Sequence, residues 1–138
     1  MVTVRHAPTS AGEVRRQLGA DLARRGLSAD VVDDVTLLAS ELVGNSVRYA
    51  QPLPGGVLRV AWSVQPGSVQ VRVTDGGGRG SPHVRDAGPS DVRGRGLAIV
   101  EALARDWGVD RAGHGPAPAG AASTVWAELA LQGWPGTP

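Results

Sequence analysis

Glu41 and Asn45 stand four residues apart in the segment Glu41-Leu42-Val43-Gly44-Asn45-Ser46-Val47-Arg48-Tyr49-Ala50. If that segment is helical, an acid and a carboxamide project from the same face. Counting 100° per residue from Glu41, Asn45 falls at about 40°, Arg48 at about −20° and Asp34 at about 20°. The apolar set Val31, Val35, Leu38, Leu42 and Tyr49 centres at about 90° on the same wheel. The polar stripe therefore borders the core face instead of opposing it, which suits the wall of a pocket. The competing reading is the polar flank of an ordinary amphipathic helix.

Two further segments carry chemistry of their own. Val73-Thr74-Asp75-Gly76-Gly77-Gly78 puts a carboxylate at a strand end, where the following glycines let backbone pass close to a ligand. An Asp-Gly turn that merely opens a loop has the same spelling. In Gly94-Arg95-Gly96-Leu97-Ala98-Ile99-Val100 glycines lead into a helix, whose free amides and positive dipole end form an anion site. A dinucleotide fingerprint would need a small residue where Ile99 stands and a strand directly before it, and neither is present. Arg93 and Arg95 are placed to approach a phosphate at that helix start, whereas Arg79 and Arg85 read as solvated surface. His6, His83 and His114 lack partners at metal-ligand spacing.

Composition narrows the chemistry. The 138 residues contain no cysteine, which excludes disulfides, thiolate metal sites and cysteine nucleophiles. All 14 basic residues are arginine, so there is no P-loop lysine and no Schiff-base lysine. Phosphate would have to be held by backbone amides, arginine or a metal. A net charge of +1 argues against direct nucleic-acid binding. No stretch resembles a membrane span or a signal-peptide core, and the expectation is a cytoplasmic protein.

The elements that must position these residues follow from pattern. Residues 2–6 alternate as a short edge strand ended by Pro8. Ser10-Ala11-Gly12-Glu13 reads as a capping box opening a helix with Val14, Leu18, Leu22 and Ala23 on one side, stopped at Gly26. Ser28 caps a second helix running to about Tyr49 and halted before Pro52. Strands at 57–64 and 68–74 meet at Gln65-Pro66-Gly67, with Val69, Val71 and Val73 facing the core and Gln70 and Arg72 facing out. Residues 75–94 form a long glycine-rich, apolar-poor loop. A third helix is expected from about Leu97 to Trp107, then a strand at 109–111, a flexible connection at 113–122, and a strand at 123–131 with Val125, Ala127 and Leu129 on one face and Trp126 on the other. The class is α+β: one two-layer domain, its mixed, mainly antiparallel sheet covered on one face by three helices.

The three segments together, in this order and with a lid-like loop between the last two, resemble the ATP-binding domain of the GHKL superfamily, which includes gyrase, heat-shock chaperone, histidine kinase and mismatch-repair ATPases. More closely, the chain looks like the stand-alone anti-sigma-factor serine/threonine kinases of actinobacterial type. The likeness is carried by Glu41-Leu42-Val43-Gly44-Asn45-Ser46, by Gly94-Arg95-Gly96-Leu97-Ala98-Ile99-Val100 and by Ala104-Arg105-Asp106-Trp107-Gly108.

The resemblance implies a Bergerat-type ATPase fold over residues 1–132, with 75–94 as the ATP lid and 133–138 as a tail. It implies ATP and Mg²⁺ as ligands, with Asn45 holding the metal that bridges the phosphates. Glu41 would be the general base for an attacking hydroxyl. Asp75 would accept a hydrogen bond from the adenine amine, and Gly77 would let the ring approach. Arg93, Gly94, Arg95, Gly96 and Leu97 would meet the phosphates, and Thr124 matches the family's late Gly-Thr element loosely, since Ser123 precedes it. The implied activity is phosphorylation of an anti-anti-sigma (STAS-type) antagonist, with a sigma factor as a second partner and a homodimer as the assembly. Neither nucleic acid nor membrane is a direct partner. Arg79 departs from the pattern, standing where the first glycine box often has its second glycine. A non-catalytic adenine-nucleotide-binding module that switches partners is the alternative.

Overall fold

Leu18 and Leu22 of the first helix, Leu38 and Leu42 of the second, and Val69, Val71 and Val73 of a central strand are almost entirely excluded from solvent. They form the seam between a helical layer and a sheet. Each such side chain contributes about 1.5–3 kcal/mol of transfer free energy. The computed structural model describes residues 1–78, 97–111 and 122–131. Its elements are β1 (Val2–Arg5), α1 (Ser10–Arg24), α2 (Ala29–Tyr49), β2 (Val57–Gln65), β3 (Ser68–Asp75), α3 (Ala98–Leu103), β4 (Asp106–Arg111) and β5 (Ser123–Ala130). The strands lie in the order β1-β2-β3-β5-β4.

Every pairing among the described strands is antiparallel, a more uniform sheet than the mixed one expected. The α+β class and the three helices are as expected. Two-residue periodicity sorts the central strands cleanly. Val69, Val71, Val73, Val125, Ala127 and Leu129 face the helices and are buried, whereas Gln70, Arg72 and Trp126 are half-exposed on the other face. The β2–β3 turn closes through Pro66 and Gly67, the glycine at φ 84°.

Two helix starts differ in mechanism. Ser28 caps α2 as expected, its hydroxyl accepting from the Val31 amide at 3.3 Å. The capping box at Ser10 does not form. Ser10 is the first residue of α1, after Thr9, and its buried hydroxyl donates to the Arg5 carbonyl at 2.5 Å. That bond ties α1 to the end of β1, a tertiary demand that the local motif cannot register. Ala23 is exposed, and Tyr49 keeps 39% of its surface, so neither belongs to the core.

The third helix is shorter than its pattern. It ends at Leu103, Ala104 is already extended, and Trp107 lies in β4 opposite Ala127. The Arg105 amide donates to the Glu128 carbonyl at 2.7 Å, and its side chain pairs with the Glu128 carboxylate. Strand pairing along β5 satisfies backbone groups that a longer helix would have left unpaired there. Gly108 makes the close pairing possible, because a Cβ at that position would lie 3.1 Å from the Trp126 ring. No described helix is long and apolar enough to cross a membrane. Beyond Gly78 the expected lid lies outside the described residues, as do residues 133–138 and most of the 113–122 connection.

Candidate functional site

A small cleft, partly open to solvent, lies where the C-terminal half of α2 meets the end of β3. Asn45, Ser46 and Tyr49 supply the helical wall, Asp75 and Gly78 the strand end, and Val109, Ser123 and Val125 the far side. The lining combines two apolar strand side chains with convergent polar groups, a composition typical of small-molecule sites.

Asn45 is 5% exposed, and its Oδ1 is buried with no hydrogen-bond partner among the described residues. An unpaired buried carboxamide oxygen costs about 1–3 kcal/mol and is rare in folded proteins. It stands as an acceptor in want of a donor or a cation. Glu41, one helical turn earlier, is half-buried, shares that face of α2 and does not line the cleft.

Asp75 is 3% exposed and ends β3 on its helix-facing side. Its Oδ2 accepts from the Ser46 hydroxyl at 2.6 Å, and its Oδ1 accepts from the Gly77 amide at 2.8 Å. Burial pushes the carboxyl above its ordinary value of 3.8, while the Ser46 and Gly77 bonds and a smaller charge interaction with His6 pull it back. The glycines after Asp75 hold it there. Gly77 sits at φ 87°, which lets its amide turn back to the carboxylate. Gly76 packs so closely on the Gln51–Pro52 backbone that a Cβ would lie 2.2 Å from the Pro52 carbonyl oxygen. Reciprocal 2.7 Å bonds, Gly76 amide to Gln51 carbonyl and Gln51 amide to Gly77 carbonyl, lock the two segments together. The aspartate is thereby fixed to the end of α2.

The structure gathers Asn45, Asp75 and the Gly77 backbone at one place. Leu97 it assigns to the core, with 1% exposure, so only its backbone could meet a ligand. Thr124 is kept out of the cleft: it pairs with Thr74, the two hydroxyls 2.7 Å apart, on the opposite face of the sheet. Alternation along β5 instead presents Ser123 and Val125 to the cleft. Arg93, Gly94, Arg95 and Gly96, together with Arg79, lie outside the described residues.

Sequence reasoning missed Ser46 and His6. Ser46 sits about 50° past the centre of the apolar arc of α2, and a small hydroxyl inside that arc was the available signal. His6 follows β1, and its Nε2 lies 2.8 Å from the Ala50 carbonyl and 3.2 Å from the Ser46 carbonyl, donating at the C-terminal end of α2. A contact spanning forty or more residues of sequence leaves no local trace.

The donor set also bears on a metal. Among the described residues no three or more histidine, aspartate or glutamate side chains cluster as ligands. A divalent ion at Asn45 would take its remaining ligands from phosphate oxygens and water, the usual situation for Mg²⁺. The free Oδ1 fits that role.

A family model for the histidine kinase-like ATPase domain matches residues 4–117. A comparison with curated proteins gives no match.

Proposed function

The chain belongs to the histidine kinase-like ATPase family, and from that premise we propose that it is a protein serine/threonine kinase of the anti-sigma-factor type. Family membership implies ATP binding. The observation that carries the finer reading is the buried, unpartnered Asn45 Oδ1 beside the buried Asp75 carboxylate in one cleft.

In this reading Asp75 accepts from the adenine amine, while Tyr49, Val109 and Val125 offer surface to the base. Asn45 Oδ1 would hold Mg²⁺, which would supply neutralisation of phosphate charge. Arg93, Gly94, Arg95 and Gly96 serve the phosphates, an assignment that rests on the family resemblance. Glu41 orients a serine or threonine hydroxyl of the substrate protein and takes its proton. The hydroxyl oxygen bonds to the γ-phosphorus as the bond to the β–γ bridging oxygen breaks, and ADP leaves. Such transfer depends mainly on positioning and charge neutralisation, so the absence of lysine is no obstacle. The substrate is an anti-anti-sigma antagonist, with a sigma factor as the sequestered partner. A cytoplasmic location and a homodimer complete the proposal.

Incubation of the purified protein with labelled Mg-ATP and candidate antagonists tests it. Phosphoserine or phosphothreonine on the antagonist is the expected result, and an unmodified antagonist at high enzyme concentration would refute kinase activity. Arg79 in the first glycine box favours a second reading, a non-catalytic nucleotide-dependent partner switch. Glu41→Ala separates the two. A kinase loses turnover and keeps ATP binding, whereas a binding switch behaves as before.

A further inference from the structure

Helix α2 carries three hydroxyl side chains between Thr36 and Ser46, and two of them do what helical hydroxyls ordinarily do. Thr36 Oγ1 donates back to the Val32 carbonyl at 2.8 Å, and Ser40 Oγ to the Leu37 carbonyl at 2.9 Å. Ser46 breaks the habit. Its Oγ reaches across to Asp75 Oδ2 at 2.6 Å, with the serine itself 1% exposed.

We infer that Ser46 is a positioning residue that holds the Asp75 carboxylate as a fixed hydrogen-bond acceptor, and so makes the base contact selective for a purine bearing an amine at C6. The inference rests on the adenine assignment proposed above and extends it to a residue that does not itself contact the base.

The reasoning is one of donor and acceptor counting. A serine hydroxyl has one proton, and an ionised carboxylate has none to give, so the 2.6 Å contact commits that proton to Asp75. The Gly77 amide commits a second donor to the other oxygen at 2.8 Å. Both oxygens are thereby fixed in place, each with a lone pair remaining. A ligand group arriving there must donate. The amine of adenine does so, while the ring carbonyl of guanine would set oxygen against oxygen in a buried site. Without the Ser46 hydroxyl, one carboxylate oxygen loses its anchor, and only the Gly77 amide on the other oxygen still orients the group.

The experiment compares Mg-ATP with Mg-purine riboside triphosphate, which lacks only the exocyclic amine, on wild type, Ser46→Ala, Asp75→Ala and the double variant. Calorimetry supplies the dissociation constants. Wild type should prefer ATP. Ser46→Ala should weaken ATP by about five- to tenfold and leave the amine-free nucleotide within about twofold, compressing the preference. Asp75→Ala should abolish the preference, and adding Ser46→Ala to it should cost nothing more. Equal weakening of both nucleotides by Ser46→Ala would overturn the inference, because a merely structural serine acts without regard to the amine. No change in ATP affinity would overturn it as well. If Asp75→Ala leaves the preference intact, the adenine assignment itself is lost, a failure distinct from loss of the Ser46 role alone. Wild type that binds neither nucleotide removes both.

Discussion

Asp21 and Asp75 are two aspartates that each accept hydrogen bonds from side chain or backbone across the same helix–sheet seam, yet their carboxyls are driven in opposite directions. Asp21 sits near the end of α1 and accepts from the Trp62 indole of β2 at 2.8 Å and from Arg25 at 2.9 Å, with Arg24 3.2 Å away. Those bonds, led by the indole, hold it below the ordinary carboxylate value. Asp75 has only neutral donors at hydrogen-bond distance and almost no water, and burial drives it up. The first arrangement satisfies a charge and uses it to pin α1 to the sheet. The second leaves a buried charge incompletely compensated, next to an orphaned carboxamide oxygen and an open cleft. Perturbed titratable groups in clefts are candidates for function, and the contrast shows why the count of hydrogen bonds alone does not reveal it.

The largest expected difference is in ligand affinity. Asp75→Ala should weaken Mg-ATP about ten- to hundredfold, the loss of a charge-assisted hydrogen bond. Asp21→Ala should leave that affinity where it was. Similar effects from both substitutions, measured by calorimetry, would erase the distinction between a ligand-reading and a structural aspartate.

Folding stability should separate them next, with the signs reversed. Asp21→Ala strands the Trp62 indole proton and removes two partly exposed ion pairs, a loss of about 1–2 kcal/mol in urea unfolding. Asp75→Asn should stabilise the unliganded protein at neutral pH. The amide carries no charge into the buried site; its oxygen can still accept from Gly77, and its NH₂ can donate to the Ser46 oxygen. A less stable Asp75→Asn protein would mean that the carboxylate is fully compensated after all.

Much of this was legible beforehand, and the boundary follows physical range. The two-residue alternation of Val69, Val71 and Val73 and the Ser28 cap are local patterns, and they gave the strands and the start of α2. Asn45 and Asp75 share a cleft because their local settings, a helix face and a strand end before glycines, lie side by side in the fold. The failures are tertiary. Trp107 fits a helical repeat from Leu97 as well as a strand with Val109, and only pairing with β5 decides it. Thr124 and Ser123 differ by one residue, hence by a whole sheet face, so register rather than residue type determines which lines the cleft. The Ser46 and His6 contacts join segments 29 and forty or more residues apart, beyond any pattern window.

The smallest and most discriminating effect is the dependence of these stability differences on pH. Asp21 is lowered on folding, so its contribution is present above 3.8 and is lost as pH falls through its folded value. Asp75 is raised on folding, so its carboxylate destabilises the fold. That penalty is absent below 3.8 and grows as pH rises through the folded value. Urea unfolding from acid to neutral pH should therefore show the advantage of Asp75→Asn over wild type widening as pH rises, while the deficit of Asp21→Ala also opens upward from acid pH. Added salt should shrink the Asp21 deficit, because that group is partly solvated and the ions beside it are exposed, and should leave the Asp75 advantage almost unchanged. An Asp75→Asn advantage that is flat across pH would assign the effect to packing, and the carboxylate at the cleft would then carry no folding penalty for a ligand to relieve.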